Sequence, residues 1–111
     1  MEKILKMAVG AASGDSQTVK FDGEFDKAGQ SAVKEELEVV IKALTVKVLV
    51  FDFSAVDFIN SQGIGYLMDI NNHLKKDAKE LHIKSPKANV LDVFKAIGLP
   101  DVIPVKGFPK A

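Results

Sequence analysis

Val46-Lys47-Val48-Leu49-Val50-Phe51-Asp52-Phe53 is the segment on which the fold turns. β-Branched and aromatic residues run through it almost unbroken, the pattern of a central strand buried on both faces. A loop over Ser54 to Asn60 is expected next. From Ser61 to about Lys76 the period changes to three and four. Ile64, Leu67, Met68 and Leu74 take one side of a predicted helix, with Asn71 a polar interruption.

Working outward, the same alternation of strand and helix recurs. Val33, Leu37, Val40, Ile41 and Leu44 line one face of a helix predicted over Ser31 to Leu44. Lys34, Glu35, Glu36, Glu38 and Lys42 take the other face. Before it, Ile4–Val9 is a short apolar run ended by the turn-rich Gly10–Asp15. Thr18, Val19 and Phe21 then suggest a second strand closing at Asp22-Gly23, so the chain opens with a β-hairpin. Beyond the central unit, Leu81-His82-Ile83 reads as a short strand. Ser85-Pro86 opens a third helix, with proline at the first helical position. Val90, Leu91, Phe94 and Ile97 are its expected inner face, and Gly98 followed by Pro100 stops it. The tail, with Val102, Ile103, Val105 and Phe108, predicts a last short strand or packed extension. The fold class is α/β: one domain over residues 1–111, with a mixed four- to five-stranded sheet. An N-terminal β-hairpin forms its edge, and three to four helices pack mainly on one face.

Composition narrows the function classes. Fifteen basic residues balance fifteen acidic ones, so charge points to neither nucleic acid nor membrane as a direct partner. There is no cysteine, which excludes disulfides, thiol nucleophiles and cysteine metal sites. No run approaches membrane-spanning length, and Met1–Gly10 has too short an apolar stretch for a signal peptide. A cytoplasmic location is the expectation.

Three stretches, taken in chain order, carry a family likeness. Gly23-Glu24-Phe25-Asp26 is similar to a Gly-Glu-Leu-Asp signature after a second strand. Val50 through Gly65 resembles a longer motif in which a hydrophobic-Asp-Leu-Ser strand end leads into Phe-Ile-Asp-Ser-Ser-Gly-Leu-Gly. Ser85-Pro86, with Val90-Leu91 and Ile97-Gly98-Leu99, matches a third helix and its Gly-Leu end. Together they resemble the STAS domain family, in its bacterial anti-sigma-factor antagonist form. The resemblance implies a non-enzymatic protein that binds a serine-kinase anti-sigma factor and releases it when that partner phosphorylates one serine. A phosphatase reverses the step, and the chain itself needs no cofactor and no metal. The phosphoacceptor carried over is Ser61. The partner-binding positions are Asp26, Asn60, Gln62, Gly63 and Asp57. Asn60 stands where the family has aspartate, and Gln62 where it has a small residue. The alternative is a STAS module that is never phosphorylated and serves as an interaction part of a stress-signalling or transport complex. The expected oligomeric state is a monomer or weak dimer.

The residues themselves fit a switch. Ser61 falls where loop turns into helix, so it is expected to be the N-cap, its hydroxyl accepting from an amide near Gln62–Ile64. Phosphate there would meet unpaired amides and the positive end of the helix dipole. Gly63 and Gly65 either hold the first turn open for a partner or allow tight packing on the sheet. Asp26 either orients a partner or caps the helix after it. Asp52 is expected to brace the loop by hydrogen bonds, and Asp57 to be a solvated loop charge.

Enzyme readings fit less well. Ile59-Asn60 precedes Ser61, so the Gly-x-Ser-x-Gly elbow of a serine hydrolase is absent. His73 lies twelve residues along the same helix, roughly 18 Å away at 1.5 Å per residue, too far to act as base. His82 sits on a strand beside Leu81 and Ile83. No histidines and carboxylates show metal-ligand spacing, and neither a dinucleotide fingerprint nor a phosphate loop is complete. Lysines 75, 76 and 79 alternate with Asp77 and Glu80, which reads as a solvated helix end.

Overall fold

The computed structural model describes residues 4–107. Five strands lie in the sheet in chain order: β1 (Lys6–Val9), β2 (Ser16–Phe25), β3 (Val48–Ile59), β4 (Glu80–Lys84) and β5 (Val105–Lys106). β1 pairs antiparallel with β2, and every later pairing is parallel. The helices between the parallel strands are α1 (Lys27–Lys42), α2 (Ser61–Lys76) and α3 (Ala88–Ala96), with a 3₁₀ turn at Leu99–Asp101. Each crossover advances one place in the same direction. Right-handed connections therefore put all three helices on one face.

Burial follows from that one-sided cover. Val19, Phe21 and Phe25 of β2 and Leu49, Phe51 and Phe53 of β3 are fully enclosed. Their rings interlock, with Phe21 meeting Phe51 edge-on at 4.8 Å between centroids and Phe53 meeting Phe94 of α3 at 5.9 Å. Each enclosed phenylalanine contributes about 1.5–3 kcal/mol through burial. The expectation that β3 is buried on both faces is corrected, because Val48, Val50 and Asp52 point to the uncovered side and are only half-buried.

The loop expected over Ser54 to Asn60 is also corrected, since β3 runs on to Ile59. Its register against β2 skips twice. Lys20 pairs with Asp52 but Asp22 with Ala55, and Gly23 pairs with Val56 but Glu24 with Phe58. Each skip inserts one extra residue into β3, the definition of a bulge. The buried positions therefore step from Phe53 to Val56 to Ile59, and that loss of the two-residue period reads as loop in a sequence. At the first bulge the Ser54 amide donates to Asp52 Oδ1 at 2.9 Å, the bracing expected of Asp52.

Helix boundaries shift for equally local reasons. α1 starts at Lys27, not Ser31, because Asp26 caps a first turn that carries no apolar signal. α3 starts at Ala88, so Pro86 is not its first residue. The Ser85 amide is still tied to Lys106 O of β5 at 2.7 Å, which keeps the chain out of the helix. Ile97, expected on the inner face, falls after the last α3 residue and is 52% exposed. Ile103 and Val105 are buried as expected of a packed last strand, while Phe108 lies outside the described residues. Asn71 on α2 is buried, and its amide nitrogen has no hydrogen-bond partner among the described residues.

Candidate functional site

Two helices begin side by side at the carboxyl edge of the parallel strands, where α/β sheets commonly place their sites. β2 and β3 end in register at Phe25 and Ile59. The next residue of each is a cap. Asp26 has an extended backbone, and its Oδ1 accepts from the Gly29 amide at 2.8 Å. Asn60 repeats the arrangement, its Oδ1 accepting from the Gly63 amide at 3.1 Å.

The expectation that Ser61 is the N-cap is thereby corrected. Asn60 takes that role, since an asparagine side chain caps as well as serine and here occupies the extended position. Ser61 becomes the first helical residue and is exposed. The Gly63 amide is met by the Asn60 side chain and the Ile64 amide by Asn60 O at 3.0 Å. The amides of Ser61 and Gln62 belong to the first turn, whose donors have no partner within the helix.

Gly63 is buried, and a methyl group on it would stand 2.1 Å from Phe25 O. Its bare backbone lets the start of α2 rest against the end of β2. Gly29 does the same for α1, where a methyl would lie 2.3 Å from Glu24 O. Of the expected site residues, the fold brings Asp26, Asn60, Ser61, Gln62 and Gly63 to one edge. Ser61 and Gln62 face solvent there, and Asp26 and Asn60 are half-buried. Asp57 departs from expectation. It lies within β3, its carboxylate pairs with Lys87 ahead of α3, and its carbonyl accepts from Asn89 Nδ2 at 2.8 Å.

Ser61 also borders a shallow depression between α1 and α2 of about 280 Å³, lined by Gln30, Gln62, Gly65, Tyr66 and Asp69. Gln30, Tyr66 and Asp69 escape a motif-based reading. The available signal was the four-residue spacing of Ser61, Gly65 and Asp69, which stacks them on one side of α2. Burial, and secondarily the Glu38 carboxylate, pushes the Tyr66 phenol up to about 12, so it stays a neutral hydroxyl at physiological pH.

The histidines are engaged elsewhere. His73 faces Asp77 at 4.0 Å and His82 faces Glu80 at 3.1 Å. Among the described residues, no group of three or more His, Asp or Glu side chains could hold a metal ion, and no helix is long and apolar enough to cross a membrane.

The STAS domain model matches residues 12–110, and the chain belongs to that family. Its fold is similar to that of an anti-sigma factor antagonist from Mycobacterium paratuberculosis, at 21% identity and a TM-score of 0.79, over 96% of this chain and 86% of that one. It is similar as well to the anti-sigma factor antagonist SpoIIAA in its unphosphorylated form, at 18% identity and a TM-score of 0.73, covering 90% and 87%. The phosphorylated form of the Bacillus SpoIIAA gives 17% identity and a TM-score of 0.67, with 90% of each chain covered.

Proposed function

We propose that this chain is a bacterial, cytoplasmic anti-sigma-factor antagonist that works by partner switching and has no catalytic activity of its own. Unphosphorylated, it binds a serine-kinase anti-sigma factor through the carboxyl edge around Ser61, with Asp26, Asn60 and Gln62 in the contact. Gly63 acts by seating the helix, and Asp57 by fixing the start of α3 beside it. The partner, holding ATP and magnesium, transfers the γ-phosphoryl to Ser61 Oγ, and the hydroxyl proton leaves with the transfer. The phosphorylated chain is released, and a phosphatase restores it.

One observation carries this reading: Ser61 is exposed on the first turn of α2 while Asn60 does the capping. Modifying the hydroxyl therefore costs the fold no cap. The added phosphate meets free amides and the positive end of the helix dipole, so the chain tolerates it. A partner surface fitted to a neutral hydroxyl does not. Phosphorylation adds about −1.5 to −2 charge. One unfavourable unit-charge contact near 4 Å costs on the order of 4 kcal/mol at an effective dielectric of 20, roughly a thousandfold in affinity. Asn60 assists, because a neutral cap spares the phosphate a carboxylate on the adjacent residue. The solution of SpoIIAA in both phosphorylated and unphosphorylated forms is in keeping with the reading.

The test is a pull-down from the native host's lysate with wild type, Ser61→Ala and Ser61→Asp as baits, and mass spectrometry for phosphate on native Ser61. The expected result is a kinase held by wild type and Ala, lost with Asp, and phosphate on Ser61. Identical partners for all three baits and an unmodified Ser61 would replace the switch with a constitutive scaffold.

A further inference from the structure

Ser61, Gly65 and Asp69 form one stripe along α2, and all three border the depression that faces Gln30 of α1. At Gly65 the packing reading of the glycine does not hold. A methyl group there would meet nothing within 4 Å, and its backbone does not have the positive φ that would call for glycine. Glycine inside a helix is less stable than alanine. The chain's own packing thus gives no reason for a bare backbone at position 65, whereas at Gly63 it gives a compelling one.

We propose that this depression receives the guanidinium of an arginine on the partner kinase, passing over the bare backbone of Gly65 to reach the Asp69 carboxylate. The inference rests on Ser61 being the phosphoacceptor of such a kinase. Among the described residues, Asp69 is the one charged side chain lining this depression, and it also borders the adjoining groove that carries Glu38, Lys42 and His73. Around it, Gln30, Gln62 and Tyr66 supply uncharged polar side chains, so the Asp69 carboxylate sets the sign of the depression. A guanidinium satisfies a carboxylate with two parallel bonds and lies flat on an aromatic ring, which an ammonium does not. A side chain at position 65 would fill the passage between Ser61 and Asp69. Asp69 lies about 12 Å along the helix from Ser61, at 1.5 Å per residue. It is therefore within one docking footprint but clear of the phosphate. The contact selects the partner, and Ser61 releases it.

The experiment measures the initial rate of Ser61 phosphorylation in clarified lysate of the native host with magnesium ATP, read by mass spectrometry. It uses the full chain as wild type, Gly65→Leu, Asp69→Asn and Asp69→Glu. Gly65→Leu and Asp69→Asn are each expected to slow the reaction about tenfold, the effect of losing one charge-assisted contact. Asp69→Glu is expected to keep most of the rate. Thermal melts accompany the rates, and Asp69→Asn should melt with wild type, so that a slow variant is not an unfolded one. Phosphorylation of all variants at the wild-type rate would overturn the inference and leave the Ser61 reading standing. Slowing by Gly65→Leu with none by Asp69→Asn would contradict a cationic occupant. If wild type itself took up no phosphate, the Ser61 reading would fall and this inference with it.

Discussion

The starts of α1 and α2 are built alike and do different things. Each follows a parallel strand, each has an extended cap residue, and each cap oxygen binds the amide of a glycine three residues on. In both, that glycine rests against the carbonyl of a strand residue, Glu24 O for Gly29 and Phe25 O for Gly63. The first helical residue, however, is Lys27 in one and Ser61 in the other. Five residues after the cap, α1 has Ser31 where α2 has the unpacked Gly65. The shared features are what a βα junction needs mechanically. The features found only at α2, a free hydroxyl, a neutral cap and an unexplained bare backbone, are the ones the fold does not require.

That contrast can be broken by experiment. The largest effect belongs to the packed glycines: Gly63→Ala, and similarly Gly29→Ala, should destabilise the fold by about 3 kcal/mol in urea denaturation, the cost of overpacking against backbone. A loss under about 1 kcal/mol would mean the junction can relax and the mechanical argument is wrong. Next come the caps. Asp26→Ala and Asn60→Ala should each cost about 1 kcal/mol in the same assay, and a loss for Asp26 alone would show that Ser61 takes over as cap when Asn60 is removed. Gly65→Ala should run the other way, gaining about 0.5–1 kcal/mol and melting a few degrees higher. A destabilised Gly65→Ala would place this glycine with the packed ones. The smallest effect is optical. Tyr66 is the one tyrosine in the chain, so the ultraviolet phenolate signal is its own. The phenol should titrate near 12 and not near its ordinary 10.0. Because the folded value is raised, the stability that burial of the neutral phenol contributes is complete below pH 10 and lost as pH climbs toward 12. Titration at the ordinary value would mean the groove between the helices is open.

Much of this was legible in the sequence because the apolar spacing changes period where β3 gives way to α2. What was not legible has physical causes at particular residues. The two bulges in β3 moved the buried positions to Val56 and Ile59 and made a strand look like a loop. Asn60 and Ser61 are both good caps, and only the observed extended backbone at Asn60 decides between them. The choice between the two readings of Gly65 depends on what surrounds an absent side chain, which no spacing reveals. Asp57 finds Lys87 across thirty residues of chain, a pairing set by the sheet and not by local pattern.

On the proposed function, a phosphate on Ser61 ends partner binding without disturbing the fold. The most direct measurement is calorimetric titration of the captured partner against the unmodified chain and the chain phosphorylated on Ser61, with melts of both. Roughly a thousandfold weaker binding is expected for the phosphorylated chain, with nearly equal melting temperatures. Equal affinity of the two forms would contradict it.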